Sequence, residues 1–314
     1  MPTIDILGVP HTYDLTPPVS CESAPKLIFI HGWLLSRSYW QPLIEILSPY
    51  YQCLAYDLRG FGDSQPISSI NAKNYSLRFG QTTDFSGRNR QDLPLYSLGT
   101  YAQDLSILLE SLDISSAWLI GHSLGGSIAI WGADYCSDRV KGVICLNSGG
   151  GIYLKEEFDR FRTMGKRLVQ FRPPWLPYLP GVDRMFSRAM VCTPLERKWG
   201  KQRVLDFVKA DTEAALGALI DTTTEEEVHL LPQIVARLQE PVYFLAGKQD
   251  TIMELKYVRH LASFHSLFHP YGKNVLEIPD CGHLSMVEQP AQVAALITQI
   301  LHTETAPLEP LQQS

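Results

Sequence analysis

A chain that runs from Ala117-Trp118-Leu119-Ile120 through Gly121-His122-Ser123-Leu124-Gly125 into Ile128-Ala129-Ile130-Trp131 has few ways to fold locally. Read as strand, sharp turn and helix, the segment puts Ser123 at the tip of the turn. The flanking glycines let the backbone tighten where a side chain would clash. The helix then starts beneath the serine with free N–H groups directed at it, a setting that favours developing negative charge. With glycine and serine each at roughly 7% of residues, a bare Gly-x-Ser-x-Gly arises by chance in about one chain of this size in ten. The motif therefore needs partners elsewhere in the sequence.

The surrounding pattern supplies a frame for it. Lys26 to Ile30 is a near-continuous apolar run, as expected of a strand buried on both faces of a parallel sheet, and it ends in His31-Gly32-Trp33. Helical periodicity follows at Trp40, Leu43, Ile44 and Leu47, then a second strand around Cys53 to Tyr56. Further strands are expected over Val140 to Leu146, Val242 to Gly247 and near Val275 to Ile278, with a last amphipathic helix from about Pro290 to Leu301. Strands alternating with helices predict an α/β fold with a mostly parallel central sheet. Ile4 to Leu15 reads as a short hairpin punctuated by Gly8-Val9-Pro10, and Thr100-x-x-Gln103 as a capping box.

Two stretches break the alternation. The polar segment from about Gln65 to Leu95 has almost no period, and it reads as a pocket rim, a partner-binding loop or a disordered one. From about 150 to 239 the pattern is helical, interrupted by the proline-rich run Phe171 to Pro180. This divides the chain into a core of residues 1–149 and 240–304, a helical lobe of 150–239 and a polar tail of 305–314.

At 314 residues, one large domain with an inserted lobe is the expected size class. The N-terminus lacks a basic region followed by an apolar run, so no signal peptide is expected, and no stretch has the apolar length of a membrane span. The six cysteines show no paired spacing, which suits free thiols in a reducing cytoplasm rather than disulfides or a metal. A net charge of −6 argues against general nucleic-acid binding.

Taken together, these motifs resemble the α/β-hydrolase family over nearly the whole chain except the polar segment, the lobe and the tail. The resemblance implies the order nucleophile, acid, histidine along the chain. Ser123 stands at the nucleophile's place, and Asp250 in Gly247-Lys248-Gln249-Asp250 at the acid's. His283 in Asp280-Cys281-Gly282-His283 matches the family's Gly-His, with Glu288 and Pro290 following in the family's manner. The alternative acid place of this fold, after Leu146, holds Asn147 and Ser148 and offers no carboxylate. The oxyanion donors implied are the backbone N–H groups of Trp33 and Leu124. His122 is expected to turn away from the serine in a structural role, His31 to shape the oxyanion loop, and Asp57, Arg59 and Asp63 to form a structural turn.

A serine hydroxyl becomes a useful nucleophile only when an imidazole takes its proton. A buried carboxylate fixes the imidazole tautomer and stabilises the imidazolium. The chemistry implied is hydrolysis of a carboxylic ester with an apolar portion, through an acyl-enzyme, without cofactor or metal. The same residues also serve carbon–carbon bond hydrolysis or a lyase reaction, and some receptors keep them, so both alternatives stay open. A serine here disfavours the dehalogenases and epoxide hydrolases of the family, which use aspartate. The lobe resembles the cap that many relatives carry. Its first part is basic, and beside Phe171, Trp175, Tyr178 and Phe186 these charges are either a solvated helix face or a peripheral contact with an anionic membrane or lipophilic substrate.

Overall fold

The computed structural model describes residues 1–21, 24–66, 93–151 and 155–305. The tail over 306–314 and most of the polar segment, residues 67–92, lie outside the described residues.

An eight-stranded sheet runs through the molecule in the order β1-β2-β4-β3-β5-β6-β7-β8. The strands are β1 (Thr3–Ile6), β2 (Val9–Leu15), β3 (Lys26–Ile30), β4 (Cys53–Tyr56), β5 (Ala117–His122), β6 (Val140–Leu146), β7 (Val242–Gly247) and β8 (Val275–Ile278). From β4 to β8 every pairing is parallel, while β1–β2 and β2–β4 are antiparallel. The chain is an α/β fold, as the alternation predicts. The hairpin turn falls at Leu7-Gly8, both at positive φ (54° and 92°), rather than at Gly8-Val9-Pro10. Two left-handed residues in a row match the twist of the strands they join.

Side chains alternate across the sheet and so build two cores. Ile28, Ile30, Leu54, Leu119, Val143 and Phe244 face one layer, with helices α2 (Leu98–Ser111), α3 (Leu124–Tyr135), α8 (Glu225–Arg237) and α9 (Leu255–Ala262). Leu27, Phe29, Trp118, Ile120, Ile144 and Leu245 face the other, against α1 (Gln41–Leu47), α10 (Ser285–Glu288) and α11 (Pro290–Thr305). Burial on both faces explains why the strand sequences read as continuous apolar runs instead of alternating ones. Helix α2 begins at Leu98, not at Thr100. Ser97 is its cap, with Oγ accepting from Thr100 N at 3.3 Å, so the expected capping box sits one turn too late.

Between β6 and β7 the chain leaves the sheet and forms a helical insert, α4 (Lys155–Gln170), α5 (Val182–Phe186), α6 (Arg197–Lys209) and α7 (Thr212–Asp221), before α8 returns to pack on the sheet. It is fastened to the sheet region by polar bonds. Ser36 Oγ donates to Asp206 Oδ2 at 3.0 Å, Asp211 N donates to Gly60 O at 2.8 Å, and Lys209 pairs with Asp63. Asp63 also pairs with buried Arg37, which reaches Asp57 and Asp14 as well. Asp57 accepts from the Arg37 and Asp63 backbone N–H groups at 2.7 and 2.8 Å. Arg59 is fully buried, held by Asp104 at 2.8 Å between the rings of Tyr96 and Tyr101. These acids and arginines brace the turn after β4.

Candidate active site

Strand order reverses direction between β3 and β5: β4 lies to one side of β3 and β5 to the other. In open α/β sheets the crevice beyond the carboxyl ends at such a point is the usual ligand site. Here it is bounded by the His31-Gly32-Trp33 loop after β3 and the Ser123 turn after β5.

Ser123 holds φ 52°, ψ −118°, a conformation rare for a residue with a side chain and one that costs on the order of 1–3 kcal/mol. Tight packing enforces it. A side chain at Gly121 would run into the Gly125 carbonyl, and one at Gly125 into the Ile30 carbonyl. Ser123 N donates to Leu146 O at 2.9 Å and Ser123 O accepts from Gly126 N at 2.9 Å, which ties the turn to the neighbouring strand and to its own helix. Leu124 is the first residue of α3, where a backbone N–H has no intrahelical acceptor.

The oxyanion-loop candidate lies directly beside it. A Cβ at Gly32 would sit 3.2 Å from Ser123 Cβ and 2.7 Å from His122 Nδ1, so only glycine lets the loop approach this closely. His31 Nε2 accepts from Leu58 N at 2.9 Å, which leaves Nδ1–H to donate to Gly32 O at 2.8 Å. Burial pushes the His31 pKa down despite Asp57, and a neutral ring is what this bonding pattern requires. The next residue, Trp33, donates its indole N–H to Ala215 O of α7 at 2.9 Å, fixing the loop to the insert.

Asp250 and His283 meet as a direct pair, Nδ1 to Oδ2 at 2.7 Å, with both residues buried. Asp250 Oδ1 accepts from the backbone N–H groups of Ile252 and Met253 at 2.8 and 2.9 Å. Burial pushes this carboxyl's pKa up, but the charge and hydrogen bond of His283, the Met253 N–H and Asn147 outweigh it. The carboxyl is held below the usual range and is ionised at neutral pH.

Asn147 and Ser285, neighbours of the pair, carried no positioning role in the sequence. Asn147, left-handed at φ 49°, donates from Nδ2 to Asp250 Oδ2 at 2.9 Å and to Gly282 O at 3.0 Å. Ser285 Oγ donates to Asn147 Oδ1 at 2.6 Å, so the amide orientation is fixed. The signal was its place after β6, where this fold sometimes carries its acid. His122, expected in a structural role, packs its ring 4.8 Å from that of His283 and donates from Nε2 to His283 O at 2.8 Å. The insert reaches the same loop: His283 N donates to Met190 O at 2.8 Å. Glu288 Oε1 accepts from Cys192 N and Thr193 N, both at 2.8 Å, and its Oε2 from Gly282 N at 3.0 Å.

A model of the alpha/beta hydrolase family matches residues 27–296, most of the chain. The chain belongs to that family. Among curated relatives, this hydrolase is 28% identical over 234 residues to 2-succinyl-6-hydroxy-2,4-cyclohexadiene-1-carboxylate synthase of Yersinia pseudotuberculosis, covering 73% of this chain and 74% of that one. Its fold is similar to that of a thermophilic esterase from Thermogutta terrifontis (TM-score 0.70, 21% identity, 98% of this chain and 100% of that one). It is also similar to a meta-cleavage product hydrolase from Pseudomonas fluorescens (TM-score 0.67, 17% identity, 98% of each chain). At such identities these two structures speak to the fold alone.

Two predictions follow from the neighbours of His283. Burial pushes the His122 pKa down to about 3, with the nearby His283 adding to the shift. An unfolded histidine titrates near 6.5, so the unfolded chain takes up this proton first as pH falls. Stability is unaffected above about pH 6.5 and declines between there and about pH 3, by up to ~1.4 kcal/mol per pH unit from this group. His122→Gln, which cannot titrate, is expected to flatten urea midpoints measured from pH 7 to pH 5, whereas an unchanged slope assigns the effect elsewhere. Glu288→Ala removes the acceptor of three backbone N–H groups. It is expected to lower stability by roughly 1.5–3 kcal/mol in urea titrations, and Glu288→Gln by less.

Proposed function

We propose that this chain is a serine hydrolase that cleaves a carboxylic ester with an apolar portion through an acyl-enzyme. The observation that carries the reading is the buried, directly bonded Asp250–His283 pair at the same sheet end as the strained Ser123. In this reading Ser123 Oγ attacks the ester carbonyl while His283 Nε2 takes its proton. Asp250 holds Nδ1–H and stabilises the imidazolium. The oxyanion accepts from the backbone N–H groups of Trp33 and Leu124, each such donor being worth about 2.7–4 kcal/mol of barrier. His283 then protonates the leaving alcohol, and water, activated by the same imidazole, releases the acid.

Residues 150–239 act as a cap over the core of 1–149 and 240–304, and its apolar side chains favour a lipophilic ester. A peripheral contact with an anionic membrane suits such a substrate. The free thiols fit a reducing, cytoplasmic compartment. Hydrolysis of p-nitrophenyl esters across a range of acyl lengths tests the reading. Turnover with a preferred length supports it and sizes the acyl pocket. No turnover on any ester from folded protein overturns it in favour of carbon–carbon bond cleavage or ligand reception.

A further inference from the structure

We infer that the outer face of the insert, formed by α4 and the segment through residue 190, is a docking surface for an anionic lipid bilayer. This deepens the proposed function by naming where a lipophilic ester would be met, and it can fail independently of the chemistry.

Helix α4 turns Gly165 and Val169 inward and keeps Met164, Leu168 and Phe171 exposed at the i, i+4, i+7 spacing of one stripe. Arg160 and Arg167 are exposed within a residue's rotation of the same stripe. The chain then continues with Trp175, Tyr178, Leu179 and Met185 exposed, Phe171 at 76% and Tyr178 at 85%. A face that leaves this many large apolar side chains in water marks an interaction site.

Charge decides which kind. From 160 to 195 there are seven basic residues (Arg160, Arg162, Lys166, Arg167, Arg172, Arg184, Arg188) and one acid, Asp183, in a chain whose net charge is −6. Asp183 is buried and paired with Arg197 at 2.6 Å, so it does not offset the face. Arg162 and Arg172 are spent on backbone carbonyls, Thr223 O and Phe207 O among them. Arg160, Lys166, Arg167, Arg184 and Arg188 are exposed and form no ion pair among the described residues. The acids of α4, Glu156, Glu157 and Asp159, all lie at its start. Exposed aromatic and aliphatic side chains interspersed along the chain with arginine and lysine that form no ion pair among the described residues match a headgroup layer, where the apolar tips enter the acyl boundary and each cation adds about 1 kcal/mol near an anionic surface. An acidic protein would satisfy the charges but leave the apolar stripe without a reason.

Co-sedimentation with phosphatidylcholine vesicles, with and without phosphatidylglycerol, tests this. Binding is expected only with phosphatidylglycerol, weakening as salt rises. Arg160→Ala with Arg167→Ala is expected to lower partitioning by roughly thirtyfold, and Phe171→Ser with Tyr178→Ser to abolish it. All four positions are exposed, so hydrolysis of a water-soluble ester and the melting temperature are expected to stay unchanged and serve as folding controls. No binding to phosphatidylglycerol vesicles at low salt overturns the inference. So does equal binding to neutral vesicles, or a dimer in gel filtration that the Phe171→Ser, Tyr178→Ser variant dissociates. Repeating the binding with Ser123→Ala separates it from catalysis: an inactive protein that still binds leaves the surface standing whatever the reaction proves to be.

Discussion

Ser123→Ala is expected to lower kcat for p-nitrophenyl ester hydrolysis by on the order of a millionfold, with the melting temperature nearly unchanged. Loss of the nucleophile in a serine–histidine–carboxylate system is of that size because the remaining groups act only through the serine. The turn itself does not depend on the hydroxyl. It is imposed by the close approach of Gly121 to Gly125 and of Gly125 to Ile30, by the Ser123 N to Leu146 O bond and by the start of α3. Alanine keeps the same backbone and the same φ of 52°, so folding is expected to be preserved while the hydroxyl proposed as nucleophile is gone. A variant retaining a tenth of wild-type activity removes Ser123 as the nucleophile. Residual activity far above background but well below that level fits the oxyanion donors acting on water.

Asp250→Asn is expected to lower kcat by about 10⁴-fold. The reason lies in the partners of the two carboxylate oxygens. Oδ1 is the acceptor of two backbone N–H groups, so the asparagine oxygen stays there. Its NH₂ then faces His283 Nδ1, and also faces the Nδ2 donor of Asn147. His283 must shift its proton to Nε2 to accept from that amide, and it can no longer take a proton from Ser123. A kcat within about tenfold of wild type removes Asp250 as the group that sets the His283 tautomer.

The same carboxyl carries a stability signature. Its folded pKa lies below the ordinary carboxylate value, so its contribution is fully present above about pH 4 and is lost as pH falls through the depressed value. Asp250→Asn is therefore expected to lower stability at pH 7 and to lessen its decline below pH 4. Urea midpoints across that range check the sign.

Local chemistry explains how much of this was legible beforehand. Strands buried on both faces are apolar along their buried length, so Lys26–Ile30, Cys53–Tyr56 and Val140–Leu146 could be read as near-continuous apolar runs, with Lys26 and Lys141 at their less buried starts. The Ser123 turn was equally plain, because only glycine tolerates the contacts on either side. Helix starts were harder. Ser97 and Thr100 are both capping types three residues apart, and the choice fell to Ser97, whose Oγ reaches the Thr100 N–H.

The sequence by itself determined the alternation of strands and helices and the serine turn, since each depends on residue types within a few positions of one another; the candidates Asp250 and His283 came from the resemblance to the family. Tertiary structure alone decided that Asn147 and Ser285 steady the Asp250 carboxylate, that His122 carries the His283 carbonyl, and that Glu288 and Met190 fasten the insert to the Gly282-His283 loop and Trp33 fastens it to the loop after β3. Those contacts join residues up to 182 positions apart. A hydrogen bond of that span leaves no periodic trace, because its geometry exists only once the sheet has set its strand order.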